Sequence, residues 1–194
     1  MKLNLGCGRA KLDGYLNIDS YDAVQPDLLC DIVNGLPFPD DSVDEIRADD
    51  FLEHVPADRV IFVVEEIYRV LKHGGVFVHI TPSTDGRGAF QDPTHRSFWN
   101  INSWEYFTWD AFRELYGIRA KFAGRNRQVA THLRRHIIHV RGVMVALKDA
   151  GDPSVGSPSA IRKLERSHRR VHRRRCRHRL FRILAERFLH LIGR

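Results

Sequence analysis

The chain of 194 residues has few cysteines and no long apolar run, and each absence excludes a class of protein. Its three cysteines, Cys7, Cys30 and Cys176, are scattered and form no CxxC pair. Their number and spacing argue against a disulfide framework and a zinc site, and they fit a reducing compartment. A run of about 18 apolar residues, which a membrane-spanning helix needs, is also missing. The first residues lack the basic and apolar segments of a signal peptide, so a cytoplasmic location is expected.

Acidic residues are scarce only at the C-terminal end. Residues 161–194 contain 13 Lys and Arg but 2 Asp and Glu, a net charge of +11, whereas residues 1–160 carry a net charge of −4. The net charge of +7 for the whole chain therefore comes from the tail, while residues 1–160 are mildly acidic. The tail contains neither Gly nor Pro over 159–192, which favours a helix. The predicted organisation is a domain at 1–149, a linker at 150–158 and a basic helical tail at 159–194.

The tail has two parts that suggest several partners. Residues 162–179 carry arginine on nearly every face, and residues 180–192 have the pattern of an amphipathic helix. The apolar stripe could pack on the body or on a second subunit, or the basic helix could lie on an anionic membrane surface, peripherally. The arginines at 162–192 could instead bind the phosphates of a nucleic acid. All three interpretations remain open, and the oligomeric state is not determined.

The pattern up to residue 149 predicts an α/β domain with a mostly parallel sheet, because short apolar runs alternate with amphipathic stretches. Apolar residues at helical spacing predict a helix from Asp58 that Gly74-Gly75 ends, and a second helix is predicted to end at Gly117. Five strands are predicted first: Lys2–Leu5, Tyr15–Ile18, Leu28–Cys30, Val43–Ala48 and Val76–Pro82. Two longer strands are predicted to form an antiparallel hairpin at the sheet edge: Ile118–Ala130 and His136–Lys148.

The stretch LNLGCG places two glycines at the end of the first predicted strand. Glycine lets the backbone approach a ligand closely because it has no Cβ. Asp19 ends the second predicted strand, so in a parallel sheet it lies beside this turn at the carboxyl edge, where α/β sheets bind ligands. A carboxylate there can accept two hydrogen bonds from ribose hydroxyls. The pattern therefore indicates a nucleoside site.

The spacing disfavours NAD as the nucleotide. Dinucleotide-binding folds prefer a third glycine and an acidic residue about 20 residues further on. Lys11 occupies the position of the third glycine, and Asp19 follows Gly8 by only 11 residues. S-adenosylmethionine (SAM) has no phosphate and needs no helix N-terminus to bind one.

Six segments, in this order and spacing, resemble class I SAM-dependent methyltransferases: LNLGCG, NID, GLPFPDDSVDEI, LEHV, YRVLKHGG and ITP. More narrowly, they resemble the small branch of predicted SAM-dependent methyltransferases of the type 11 kind. The resemblance covers residues 3–82 and extends more loosely to residue 149. It implies a Rossmann-like class I methyltransferase sheet, mostly parallel with an antiparallel edge hairpin, and SAM as the cofactor. The basic C-terminal helix is added to this fold.

The resemblance also implies which residues bind the cofactor. The glycine turn would line the methionine part of SAM, Asp19 would bind the ribose, and residues 48–51 would lie under the transferred methyl group. Asn4 stands where the wider superfamily commonly has an acidic residue. The predicted cofactor-binding residues are Asn4, Gly6, Cys7, Gly8, Asp19, Asp31, Ile32 and Asp49.

The return from Gly8 to Asp19 is unusually short. It leaves room for at most one helical turn, where most class I enzymes place a full helix, and it is near the minimum length for a parallel crossover. We therefore expect an open cofactor site that is shielded mainly by residues 84–107.

Residues 81–107 follow the strand beside which a substrate should lie, and they are rich in turn formers and aromatic residues. His95 or Asp92 could take a proton from a substrate hydroxyl or amine during methyl transfer, and the resembling branch is similar around DPTHRSFW. In the alternative interpretation, Asp92-Pro93 starts a turn and His95 hydrogen-bonds the backbone. Asp50, expected near the methyl group, is the third predicted catalytic residue.

Other side chains near the expected methyl position could ligate a metal, but their spacing matches no strong metal pattern. We predict no metal and expect Glu53 and His54 to fix their loop by hydrogen bonds. The candidate ligands considered are Asp49, Asp50, Glu53 and His54. Three further histidines are interpreted as surface residues: His132, His136 and His139.

The sequence therefore predicts a SAM-dependent methyltransferase that acts on an unidentified O or N acceptor. The alternative is a non-catalytic binding module with the same fold that uses its basic tail to hold nucleic acid or a membrane.

Overall fold

The computed structural model describes residues 1–149 and 151–168. The seven strands are β1 (Lys2–Leu5), β2 (Leu16–Asp19), β3 (Leu28–Leu29), β4 (Val43–Asp49), β5 (Leu71–Pro82), β6 (Phe122–His132) and β7 (Ile137–Ala146). The two α-helices with defined ends are α1 (Val60–Val70) and α2 (Asp110–Tyr116).

All seven strands form one sheet in the order β3-β2-β1-β4-β5-β7-β6. The pairs among β1 to β5 are parallel, and β7 is antiparallel to both β5 and β6. The prediction of a mostly parallel sheet with an antiparallel edge hairpin is therefore confirmed.

Helix α1 ends at Val70, before the Gly74-Gly75 stop that the sequence predicted. Its apolar residues pack on the sheet, but Leu71 is already extended and pairs with Val43. The next pair in the ladder is Glu45 with Val76, so residues 72–75 form a bulge in β5. The prediction that Gly74-Gly75 ends the helix was wrong, because these glycines serve the bulge.

The crossover from β1 to β2 contains no helix, and two asparagine side chains hold it instead. Asn4 and Asn17 are neighbours across the two strands, and Asn4 Nδ2 donates to Asn17 Oδ1 at 2.8 Å and to the Ala10 carbonyl at 3.2 Å. Asn17 Oδ1 also accepts from the Leu12 N–H at 2.7 Å. These side-chain bonds satisfy loop backbone groups that a helix would otherwise pair internally.

The main core lies on one face of the sheet, beneath α1 and the short 3₁₀ helix Ile101–Phe107. Trp104 is fully buried there and packs against Phe77 and Phe107. His79 also lies in this layer, with its ring stacked on Trp104 at 3.8 Å between centroids.

The opposite face carries the beginning of the tail. Residues 158–168 are helical, and Leu164 packs against a small apolar cluster on the sheet. Arg127 Nε lies 2.5 Å from Glu165 Oε1, which ties this helix to β6. The predicted boundary between the linker (150–158) and the tail (159–194) therefore falls inside a helix that contacts the sheet. Residues 169–194, with the predicted stripe at 180–192, lie outside the described residues.

No helix in the described part of the chain combines the length and the apolar character that a bilayer crossing requires.

Candidate functional site

The loops that follow β1, β2, β3 and β4 meet at the carboxyl edge of the sheet around an open cavity of about 290 Å³. This is the edge at which open α/β sheets bind ligands. The residues that line the cavity come from all four loops: Leu5, Gly6, Ile18, Asp19, Ser20, Cys30, Asp31, Ile32, Val33, Asp50, Phe51, His54 and Val55.

The first glycine of the turn has no space for a side chain. Gly6 has a φ of +58°, and a Cβ there would lie 2.4 Å from Cδ2 of Phe51. The Phe51 ring therefore packs directly against the bare backbone of Gly6. Glycine is required at this position both for its conformation and for this contact.

Asp19 is the last residue of β2, and its carboxylate hydrogen-bonds to the glycine turn that follows β1. Its Oδ2 accepts a hydrogen bond from the Gly8 N–H at 2.8 Å, and its Oδ1 accepts one from the Tyr21 N–H at 3.0 Å. Each carboxylate oxygen can accept a second bond. The carboxylate is thus fixed at the rim of the cavity with acceptor capacity left for a ligand.

Five of the predicted site residues line this cavity, and the others do not. Asp31 follows β3 and caps the 3₁₀ turn Ile32–Asn34 by accepting from the Val33 N–H. Ile32 is buried beside it. The predicted residues that line the cavity are Gly6, Asp19, Asp31, Ile32 and Asp50.

Four predicted cofactor-binding residues contact other parts of the chain. Both hydrogens of the Asn4 amide are used inside the β1–β2 loop. The Cys7 N–H donates to the Ile18 carbonyl, and burial raises the pKa of its thiol. Gly8 contributes its N–H to Asp19, and Asp49 is bound by Arg47 at 3.2 Å on the other face of the sheet. Their predicted cofactor contacts stay predictions.

Asp50 has an unusual backbone conformation and a histidine beside it. Its φ is +52°, a left-handed conformation that is uncommon outside glycine and that concentrates at functional sites. Oδ1 of Asp50 lies 3.4 Å from Nε2 of His139, and the other ring nitrogen of His139 lies 2.8 Å from the hydroxyl of Thr131.

The interpretation of His139 as a surface residue was wrong, since its side chain is only 15% exposed. Strand β7 runs antiparallel beside β5, and His139 pairs with Pro82 at the carboxyl edge, next to the site. His132 and His136 are exposed, as predicted. Nothing in the local sequence separates these three histidines, because only the hairpin register decides which of them reaches the site.

Glu53 is a buried acid next to the cavity. It is 2% exposed, and its Oε2 accepts from the Thr81 hydroxyl at 2.9 Å. Burial, together with the nearby Asp50 carboxylate, raises the pKa of Glu53 to about 8. Its backbone carbonyl accepts from the N–H groups of Arg96 and Ser97, which attaches the following loop.

The loop at 83–100 carries the two remaining catalytic candidates. Asp92 accepts from both the N–H and the hydroxyl of Thr94, and these bonds lower the pKa of its carboxyl. His95 Nδ1 lies 2.8 Å from the Ala89 carbonyl. These contacts match the alternative interpretation, in which Asp92 starts a turn and His95 hydrogen-bonds the backbone. The catalytic roles of both residues stay predictions.

Three potential metal ligands lie close together beside the cavity. They are one ligand atom from each of Glu53, His54 and His95, and all three lie within 4.8 Å of one another. Sequence spacing did not reveal this cluster, because His95 is 41 positions from His54 and joins it only through the fold of the loop.

Known proteins resemble part of this chain in sequence and most of it in fold. Residues 15–79 match the family model described as a methyltransferase domain. No curated protein sequence matches the chain.

Three solved structures are similar in fold. A complex of the Haloferax volcanii Trm112 methyltransferase activator with a putative methyltransferase contains a chain 18% identical, with a TM-score of 0.57 over 78% of this chain and 83% of that one. A SAM-dependent methyltransferase from Archaeoglobus fulgidus is 15% identical, with a TM-score of 0.56 over 75% and 85%. The Burkholderia thailandensis 1,6-didemethyltoxoflavin-N1-methyltransferase, solved with 1,6-didemethyltoxoflavin and S-adenosylhomocysteine, is 16% identical, with a TM-score of 0.50 over 74% and 70%.

The matched segment contains β2 to β4, α1 and most of β5. Residues 15–79 are therefore similar to a methyltransferase domain, and the chain has the fold of solved SAM-dependent methyltransferases.

Proposed function

We propose that the chain transfers a methyl group from SAM to an oxygen or nitrogen atom of an acceptor. The observation that carries the proposal is the cavity at the carboxyl edge, where Gly6 lines the wall and Asp19 offers a fixed carboxylate within one site. In this proposal Asp19 accepts from the ribose hydroxyls, and the backbone turn at Gly6 contacts the methionine part.

The adenine end would lie towards β3. Ile32, Val33 and Cys30 give this end of the cavity apolar surface, and Asp31 stands at its rim. A flat, apolar base with polar edges suits such a pocket, since small-molecule sites combine mostly apolar walls with a few placed polar groups.

The chemistry requires little beyond alignment. A lone pair of the acceptor atom forms a bond to the methyl carbon while the carbon–sulfur bond breaks, and its electron pair stays on sulfur as S-adenosylhomocysteine forms. The acceptor loses a proton to a base or to water. Because the sulfonium is already activated, positioning the acceptor in line supplies much of the rate enhancement.

Asp50 and His95 are the proposed bases. Asp50 lines the cavity, and the ring of His95 lies 5.1 Å from that of His54, which also lines it. Asp92 is the weaker candidate in this proposal, because its carboxylate already holds Thr94.

The cofactor part is tested by calorimetry with SAM and with S-adenosylhomocysteine. The wild type should bind both, Asp19→Ala should bind at least tenfold more weakly, and Asp22→Ala, an exposed acid in the same loop, should bind as the wild type does. Absence of binding to the wild type would overturn the proposal.

The transfer part is tested with SAM labelled on its methyl group and a fractionated extract of the host. Label should enter one of the lipid, carbohydrate, protein or RNA fractions and should be lost with Asp19→Ala. Cofactor binding without any labelled product would instead favour the non-catalytic binding module.

The charge of +11 at 161–194 supports an anionic partner for the tail. We propose that residues 162–192 bind an acidic lipid surface or a nucleic acid, and co-sedimentation with anionic vesicles and, separately, with RNA distinguishes the two.

A further inference from the structure

Three potential ligands from two separate loops converge beside the cofactor cavity. Glu53 and His54 belong to the 3₁₀ turn Leu52–His54 after β4, and His95 belongs to the loop after β5. The imidazole rings of His54 and His95 meet edge to face, with centroids 5.1 Å apart. One nitrogen of each ring and one oxygen of Glu53 lie within 4.8 Å of one another.

The tautomer of His95 is set by its backbone contact. Its Nδ1 lies 2.8 Å from the Ala89 carbonyl oxygen, which can only accept a hydrogen bond. Nδ1 therefore carries the proton, and in the neutral ring Nε2 is left with a free lone pair. Histidines that ligate metals commonly donate their other N–H to a carbonyl or carboxylate in this way.

The tautomer of His54 follows from a short chain of hydrogen bonds. The Thr94 hydroxyl donates to Asp92 Oδ1 at 2.7 Å, which uses its only proton. The same hydroxyl lies 3.2 Å from His54 Nδ1, so Nδ1 must be the donor in that contact. His54 Nε2 is therefore also left as a lone-pair nitrogen, and Asp92 orients the ring through Thr94.

Glu53 provides a buried oxygen without a partner. Oε2 accepts from Thr81, whereas Oε1 is buried and has no hydrogen-bond partner among the described residues. An unpaired buried oxygen of this kind is costly, and a bound ligand would give it a partner.

We propose that Glu53, His54 and His95 form a binding site for a divalent first-row transition-metal ion. Two imidazole nitrogens and one carboxylate suit Zn²⁺, Co²⁺ or Fe²⁺, while Mg²⁺ prefers oxygen ligands. Metal–ligand distances of about 2.0–2.2 Å place tetrahedral ligands about 3.5 Å apart, so the cluster needs a contraction of only about 1 Å. This inference replaces the expectation from sequence that no metal binds.

Three protein ligands leave at least one coordination position open, as in catalytic zinc sites. His54 lines the cofactor cavity, so that position lies near the point where an acceptor would meet the methyl group. An acceptor oxygen bound there would lose its proton more readily. This consequence rests on the proposed function, and it leaves Asp50 as the base, since His95 then holds the metal.

The site is tested by equilibrium dialysis of the untagged full chain against Zn²⁺, with elemental analysis, and by absorption spectroscopy with Co²⁺. The wild type should bind one ion per chain, with a Co²⁺ spectrum typical of four-coordinate nitrogen and oxygen ligation. Mg²⁺ at the same concentration should not displace it. Glu53→Gln, which can still accept from Thr81, and His95→Ala should each weaken Zn²⁺ binding at least 100-fold.

Two further variants show whether the ion sits where it is proposed. Thr94→Ala removes the hydroxyl that contacts His54 Nδ1 and keeps the Thr94 carbonyl, 3.4 Å from the same nitrogen, so it should weaken Zn²⁺ binding about tenfold. His132→Ala, an exposed histidine on the hairpin, should leave it unchanged. Binding of less than one ion, or equal binding by the wild type, Glu53→Gln and His95→Ala, would overturn the site, and the second result would point to the histidines and cysteine of the tail. Calorimetry with S-adenosylhomocysteine on the same samples reports separately on the cofactor site.

Discussion

The Gly8 N–H donates a hydrogen bond to Asp19 Oδ2 at 2.8 Å, which joins the glycine turn of β1 to the end of β2. The carboxylate therefore holds the turn in place before any ligand arrives. Asp19→Ala should make the Gly8 amide proton exchange with solvent at least tenfold faster, because its partner is lost. Hydrogen exchange followed by NMR measures this, and an unchanged rate in Asp19→Ala would contradict the proposed bracing role.

Gly6 should tolerate a side chain less well than a glycine that shares only its conformation. Gly6→Ala places a methyl group 2.4 Å from the Phe51 ring, whereas a Cβ on Gly14, which has a φ of +76°, would meet no atom within 4 Å. Both variants carry the cost of a left-handed alanine, about 1–2 kcal/mol. Gly6→Ala should lose about 1–3 kcal/mol more, the range for overpacking. Urea unfolding of the two variants measures the difference, and equal losses would show that the Phe51 contact does not matter.

Asn17 should contribute more to the free energy of unfolding than a typical polar residue does. Its side chain bonds Asn4, Leu12 and Asp27, and these bonds replace a crossover helix. Asn17→Ala leaves several of these groups unpaired, and we expect a loss of about 2–4 kcal/mol in the free energy of unfolding. Asn34→Ala, an exposed asparagine, is the matched control and should stay within about 0.5 kcal/mol of the wild type.

Acid should destabilise the fold through His79. Burial lowers the pKa of His79 to about 3, and the ring lies between Trp104 and the Asn126 amide oxygen, 3.0 Å from Nε2. In the unfolded chain the pKa of histidine is about 6.5. Between about pH 6.5 and 3, the unfolded state therefore binds a proton that the folded state does not bind. The free energy of unfolding should therefore fall by about 1.4 kcal/mol per pH unit on this account as the pH drops from about 6.5 towards 3.

The variant His79→Gln removes this titration but keeps an amide that can donate to Asn126. Its stability should change less steeply with pH than that of the wild type over the same window, whereas His132→Gln, at an exposed site, should keep the wild-type slope. Urea unfolding at a series of pH values measures the slopes, and parallel curves for His79→Gln and the wild type would rule out His79 as the acid-sensitive group.

The strands and the site edge were readable from sequence because they depend on local pattern. Apolar runs gave β1 to β4 within one residue at each end, whereas β5 begins five residues before the predicted Val76, and Asp19 was placed beside the glycine turn from strand order alone. The end of α1 was misplaced because two glycines after a helix look the same whether they stop the helix or form a bulge. Pairing with Val43 decided between the two.

The sequence pattern did not predict contacts between side chains that are far apart in the sequence. His139 was assigned to the surface, and Glu53, His54 and His95 were not recognised as a cluster. The reason is that their proximity depends on the register of a hairpin and on the path of a loop, neither of which has a local periodicity.

Local sequence patterns are enough to predict the fold class, the glycine turn and the acid opposite it, because hydrophobic period and glycine placement act over a few residues. The packed fold is needed to show which acids and imidazoles face one another, since a hydrogen bond or a shared ion depends on distances that packing sets. His54 and Asp92 illustrate the point: Thr94 joins them in space, and that connection fixes which nitrogen of the ring is free.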